Sequence, residues 1–199
     1  SSIMSKKIAS GAQKIVIDVT YGSGAFMKNE ADALKLADIM NKIGEIAGRE
    51  TVCILTKMDE PIGYAVGNSL EIIESIECLK GNMPDDIKDI ILKLGSEMIK
   101  LSGICDDIEE NKNMILESIE SGKAYNKFVE LVRNQGGDIS YIENTDKFNK
   151  AKYIEEVKAD KDFTVNSIDA GEVGKLCVYL GAGRQKKEDS IDYSARNSI

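Results

Sequence analysis

Lys14-Ile15-Val16-Ile17-Asp18-Val19 is a β-branched run with the length of a buried strand, and Thr51-Val52-Cys53-Ile54-Leu55-Thr56 is a second. Between them, from Asn29, lies a segment with helical spacing. Asn29 suits the N-cap, Glu30 and Asp32 suit the positive end, and Leu36, Met40, Ile43 and Ala47 form one apolar stripe before Gly48 stops the helix. Strand, helix and strand within about 45 residues predict a βαβ crossover, hence an α/β fold with helices flanking the sheet.

Outward from this unit, residues 1 to about 12 are helix-compatible and end at Gly11, and Tyr21-Gly22-Ser23-Gly24 is a glycine-rich turn after the first strand. The second strand empties into Asp59-Glu60-Pro61-Ile62-Gly63-Tyr64-Ala65-Val66-Gly67-Asn68, then a helix to about Lys80. After Pro84, residues Ile87, Ile91, Leu94, Met98 and Leu101 step along one helix and predict a single buried face. Two more helices, about 110–121 and 123–134, close at Gly136-Gly137. Residues 138–151 are polar and turn-rich and read as a linker. Tyr153 to Val157 and Phe163 to Val165 read as short strands before a helix near 170–181.

The chain has 199 residues, 42% hydrophobic and 30% charged, enough to remove roughly 70% of its unfolded surface from water. Its net charge of −8 argues against nucleic acid and against an anionic membrane surface, both of which recruit Lys/Arg clusters. There is no histidine, so Ser-His-Asp and Cys-His mechanisms and imidazole zinc sites are excluded within it. Cys53, Cys78, Cys105 and Cys177 lie far apart without a CxxC and read as reduced core thiols. The longest apolar run, Val52 to Leu55, falls far short of the ~18 residues that span a bilayer. The opening Ser1-Ser2-Ile3-Met4-Ser5-Lys6-Lys7 lacks an initiator methionine and a signal-peptide core, which reads as cytoplasmic and as cut.

Three places carry candidate chemistry. The Gly22-Ser23-Gly24 turn is either a plain tight turn or one whose N–H groups face a ligand; it is neither Gly-x-Gly-x-x-Gly nor a Walker loop. Pro61, Gly63 and Gly67 make an irregular segment whose carbonyls lack a ladder and take water or a monovalent cation, with Glu71 and Glu74 following on one helix. Ser2 and Lys6, four apart, place a hydroxyl and an ammonium side by side, a donor pair that suits a carbonyl-bearing ligand or plain solvent.

The stretches Ser2 to Ala9, Asp18 to Lys28, Met58 to Glu71 and Leu180 to Asp189, in that order, resemble the pyrimidine-nucleoside phosphorylases, the family that includes thymidine phosphorylase. The resemblance covers the chain from Ser1 to about Ser194. It implies an α/β catalytic domain of the nucleoside phosphorylase/phosphoribosyltransferase type with a truncated C-terminal α+β unit. It implies reversible phosphorolysis of pyrimidine nucleosides, with phosphate as co-substrate and a homodimeric parent. The family's motif places the pyrimidine on Ser2 and Lys6, with Lys6 the catalytic group, and makes Phe26 and Met27 base-pocket wall. Its potassium site would draw carbonyls from Ile62 and Ala65 and a carboxylate from Glu74, a partial site here.

The family's upstream phosphate loop and arginine have no counterpart in this sequence, and Thr20 stands where lysine is usual. The tail Ala195-Arg196-Asn197-Ser198-Ile199 does not match the family. The expected divisions are 1–13, a remnant of the small helical domain; 14–137, the α/β portion; 138–151, a linker; and 152–199, the truncated C-terminal domain. The isolated chain is expected to be inactive. The rival readings are a non-catalytic module that at most binds pyrimidine or a partner, and a phosphoribosyltransferase-like enzyme.

Overall fold

The computed structural model describes residues 2–195 and 197–198; of the tail 195–199, Arg196 and Ile199 lie outside the described residues. In chain order the elements are α1 (Ser2–Ala9), β1 (Lys14–Tyr21), α2 (Glu30–Ile46), β2 (Glu50–Lys57), β3 (Ala65–Val66), α3 (Asn68–Leu79), α4 (Asp85–Ser102), α5 (Ile108–Glu120), α6 (Lys123–Asn134), α7 (Ser140–Glu143), α8 (Ala170–Tyr179) and β4 (Asn197–Ser198). By packing they divide into two units: Ser1–Asp59 with Asp85–Ser118, and Glu60–Pro84 with Ile119–Ile199. This division by contact follows lines of its own, and the linear boundaries at 13, 137 and 151 stay a proposal.

The first unit holds the expected crossover. β1 and β2 run parallel in unbroken register, from Lys14 opposite Glu50 to Tyr21 opposite Lys57. Alternate residues of β1 are buried, Ile15, Ile17 and Val19, and they cluster with Ala33, Ala37 and Met40 of α2 and with Met4 of α1. Fully burying an Ile, Val or Met side chain contributes about 1.5–3 kcal/mol. Small residues at 33 and 37 let α2 approach the strands closely. The Asn29 side chain accepts the Asp32 N–H at 2.9 Å, as the cap reading requires. The chain leaves α2 through Gly48, whose φ of 66° favours glycine.

α4 lies against β1 and β2 and is tied to them by Lys93 Nζ, which donates to Leu55 O at 3.3 Å, and by Lys14 Nζ on Leu101 O. The expected apolar face is corrected at its C-terminal half. Met98 is 59% exposed, whereas Ser96 and Leu101 are buried. The reason is close helix packing: a Cβ on Gly95 would lie 2.7 Å from Ile115 Cδ1 of α5. Asn111 of α5, fully buried, reaches across to donate to Ser96 O at 3.2 Å and Cys105 O at 3.0 Å. Small and polar residues therefore hold a contact that apolar periodicity assigned to Met98.

In the second unit α3 follows Gly67 and buries Ser69, Ile76 and Cys78. β3 pairs antiparallel with β4, Ala65 opposite Ser198 and Val66 opposite Asn197. Residues 138–151 contain α7 and a short 3-10 turn, Thr145–Lys147, with Tyr141 and Phe148 packed edge to face at 5.4 Å. The strands expected at 153–157 and 163–165 are absent: neither stretch is helix or strand, and Val157 is 97% exposed. A β-prone stretch makes a strand only beside a neighbour's ladder, and among the described residues no strand pairs with either stretch. No helix among the described residues is long and apolar enough to cross a membrane.

Candidate functional site

Ser2 and Lys6 do stand one turn apart on α1. The helix buries Met4 and packs Ile8 on the core, and at 100° per residue this turns Ser2 and Lys6 to the opposite face. Both are exposed. Lys7 projects about 100° round the helix from Lys6.

The Gly-Ser-Gly turn follows β1 at the C-terminal end of the parallel pair, the end where ligands bind in open α/β sheets. Its backbone donors are all committed. Gly22 N–H donates to Met27 O at 2.9 Å, Gly24 N–H to Met58 O at 2.9 Å and Ala25 N–H to Gly22 O at 3.1 Å. Ser23 N–H donates to Asp59 Oδ1 at 3.0 Å. Of the two alternatives left open by the sequence, the structure takes the tight turn: no N–H from 22 to 25 is left to cradle an anion.

Two cations flank this turn, although Thr20 supplies none. Lys28 Nζ donates to Ser23 O and Ala25 O, both at 2.9 Å, and Lys57 Nζ lies 3.0 Å from Asp59 Oδ2. Lys57 and the Ser23 N–H hold the Asp59 carboxyl below the usual carboxylate range. The two residues expected as pocket wall part company. Met27 packs on the core cluster that includes Met4, while Phe26 is 90% exposed. The structure thus joins Met27 to the helix that carries Ser2 and Lys6 through one packed body, and leaves the Phe26 ring free of it.

In the second unit Glu74 folds back over the loop: its Oε1 accepts the Tyr64 N–H at 2.8 Å, between Ile62 and Ala65 in sequence. Glu71 Oε1 accepts the Gly67 N–H at 2.9 Å and closes the N-terminus of α3. The segment is less irregular than expected, because Ala65 belongs to β3 and is buried. Burial, and then Glu71, push the Cys177 thiol up, and its Sγ lies 3.8 Å from Val66 O.

Sequence reasoning missed Asp59, Asn68 and Ser69. Asn68 Nδ2 donates to Ala182 O at 2.9 Å and Ser69 Oγ to Tyr193 O at 2.7 Å, tying α3 to the C-terminal segment. Asp59 carried one usable signal. In a parallel pair, residues just past two strand ends are neighbours, and Asp59 stands beyond β2 where Ser23 stands beyond β1.

A model of the glycosyl transferase family, a/b domain, matches residues 1–125, and one of the pyrimidine nucleoside phosphorylase C-terminal domain matches residues 164–195. The chain is 49% identical over 192 residues to a pyrimidine-nucleoside phosphorylase of Staphylococcus epidermidis, covering 96% of this chain and 44% of that protein. Proteins of the same name from Bacillus subtilis and Staphylococcus aureus are 45% identical over the same span. The chain spans 44% of the length of each of these relatives.

Proposed function

Since the chain belongs to the pyrimidine-nucleoside phosphorylases of the glycosyl transferase family, we propose that its first unit carries the base-binding wall of an enzyme splitting pyrimidine nucleosides with phosphate into base and (deoxy)ribose 1-phosphate. Breaking the glycosidic bond places positive charge on the sugar and negative charge on the departing base. Donors that hold the base oxygens as that charge grows lower the barrier. Lys6 and Ser2 fill that role, and Phe26 and Met27 offer apolar surface to the ring.

One observation carries the reading. α1 turns its hydroxyl and ammonium away from the core, while its inner face shares a cluster with Met27, so donors and wall are built on one body. Phosphate is the family's co-substrate, and the saturated Gly22–Ala25 turn is not its cradle. The 199-residue chain is expected to show no turnover by itself. A homodimeric, cytoplasmic parent acting on nucleosides rather than on nucleic acid or membranes belongs to the same proposal, supported by the family and the net charge of −8.

We extend the proposal to a potassium ion held by the carbonyls of Ile62 and Ala65 and a carboxylate oxygen of Glu74. Neutral carbonyls with one carboxylate suit a large, weakly hydrated cation, whereas magnesium demands near-octahedral geometry and keeps its waters. The Glu74 carboxylate, on the Tyr64 N–H, stands beside the segment that bears both carbonyls. Such an ion would neutralise a carboxylate and stiffen the loop.

The test compares two neighbouring lysines in the full-length parent. Lys6→Ala is expected to lower kcat/KM about 10²–10³-fold, the usual cost of removing one charge-stabilising donor. Lys7→Ala, on another face of α1, is expected to leave it near the parental value. Equal losses in both would overturn the assignment.

A further inference from the structure

We propose that Asp59 is a positioning residue for the candidate base pocket: its carboxylate and its carbonyl clamp the turn from Gly22 to Lys28 and so set where Phe26 and Met27 stand. The proposal rests on the reading of those two residues as pocket wall.

Two chain segments meet where β1 and β2 end in register. Met58 N–H donates to Tyr21 O at 2.7 Å, and Gly24 N–H donates back to Met58 O at 2.9 Å. Asp59 then binds one residue twice, taking the Ser23 N–H on Oδ1 at 3.0 Å and the Ser23 hydroxyl on its carbonyl at 2.9 Å. Its other carboxylate oxygen is held by Lys57 Nζ at 3.0 Å. The approach is so close that a Cβ on Gly22 would lie 2.5 Å from Asp59 Oδ1. From inside the turn, Lys28 Nζ takes the carbonyls of Ser23 and Ala25.

With every backbone donor from 22 to 25 committed, the turn has one shape, and the backbone on either side of Phe26 follows from it. Phe26 is nevertheless 90% exposed. A rigid frame that presents an aromatic ring to solvent, at the ligand-binding end of a parallel pair, is what a stacking surface needs. Lys57 and the Ser23 N–H hold the Asp59 carboxyl below the usual carboxylate range, so its charge persists further into acid. A neutral amide at position 59 would keep an acceptor for Ser23 but lose the ion pair, which separates geometry from charge.

The test uses the 199-residue chain, with uracil as the probe and amide NMR as the readout. Uracil is expected to shift the amides of Ser2, Lys6 and Phe26. Asp59→Ala is expected to speed exchange of the Ser23 amide, move the Phe26 amide and weaken uracil binding about tenfold or more, since small misplacements of a binding surface cost that much. Asp59→Asn is expected to rescue binding to within about threefold. Unchanged affinity in Asp59→Ala, or equal loss in both variants, would overturn the clamp. If uracil shifts none of those amides in the unsubstituted chain, the base-pocket reading fails for this chain and the clamp is judged on the turn alone. A Phe26 amide and Ser23 exchange rate unmoved by Asp59→Ala then overturn it, and changes rescued by Asp59→Asn uphold it. Should Asp59→Ala not fold, Ser23→Ala, which removes the hydroxyl bond to Asp59 O, takes its place with the same expected shift at Phe26.

Discussion

Gly22→Ala tests the turn most directly, because two separate costs meet at that position. The backbone φ of Gly22 is 125°, a conformation that L-residues rarely adopt, and forcing one there costs roughly 1–2 kcal/mol. A Cβ would also lie 2.8 Å from Met58 C and 2.9 Å from Asp59 N, backbone atoms that cannot rotate aside. Overpacking of that kind adds about 1–3 kcal/mol. The sum is about 2–5 kcal/mol. Gly48→Ala is the internal control: φ is 66° and nothing lies within 4 Å of its would-be Cβ, so only the conformational cost applies. In urea unfolding followed by far-UV circular dichroism, Gly22→Ala is expected to lose about 1–3 kcal/mol more than Gly48→Ala. Equal losses would refute the close approach of Gly22 to residues 58 and 59, and with it the geometric basis of the clamp.

Asn111→Ala removes two hydrogen bonds from a fully buried side chain and is expected to cost about 2–4 kcal/mol, whereas exposed Asn113→Ala should stay within about 0.5 kcal/mol by the same assay. Glu74→Gln in the full-length parent is expected to reduce the rise in Tm that potassium gives over sodium, while Glu71→Gln, whose partner is Gly67 N–H, should not; an identical potassium response in both would return Glu74 to a loop-capping role. The buried Cys177 thiol, pushed up by desolvation and by Glu71, is expected to alkylate at pH 8 far more slowly than a free thiol, as read by mass spectrometry; labelling at the rate of cysteine itself would contradict its burial.

Local features of the chain were legible and contacts between distant segments were not. β1, α2 and β2 could be read because each announces itself within its own residues: a β-branched run, a capping Asn29, an apolar stripe, a glycine stop. The bond from the Tyr64 N–H to Glu74 joins residues only ten apart, a separation that one loop and the first turns of α3 span. By contrast, the apolar pattern of α4 gave Met98 to the core because periodicity measures one helix only, while Gly95, Ser96 and Asn111 settle how α5 approaches it. The stretches 153–157 and 163–165 read as strands from their own residues, yet no ladder exists for them among the described residues, since β-structure is a property of pairs.

The candidate site follows the same division. The i, i+4 relation of Ser2 and Lys6 is written in the sequence, because any helix over those residues enforces it. Whether the glycine turn could receive an anion depended on where four N–H groups go, and two of their acceptors lie on Met58 and Asp59, more than thirty residues away. A glycine-rich turn after a strand signals only that backbone can approach something closely. Here what it approaches is the end of the neighbouring strand, so the freedom that glycine gives is spent on β2's exit and not on a ligand. A phosphate-cradling loop keeps its N–H groups empty and convergent; this one has them filled, and its exposed feature is a phenylalanine ring. The proposed base pocket would ask of this turn only an aromatic surface for a pyrimidine to stack on, and of α1 the donors for the ring's edge.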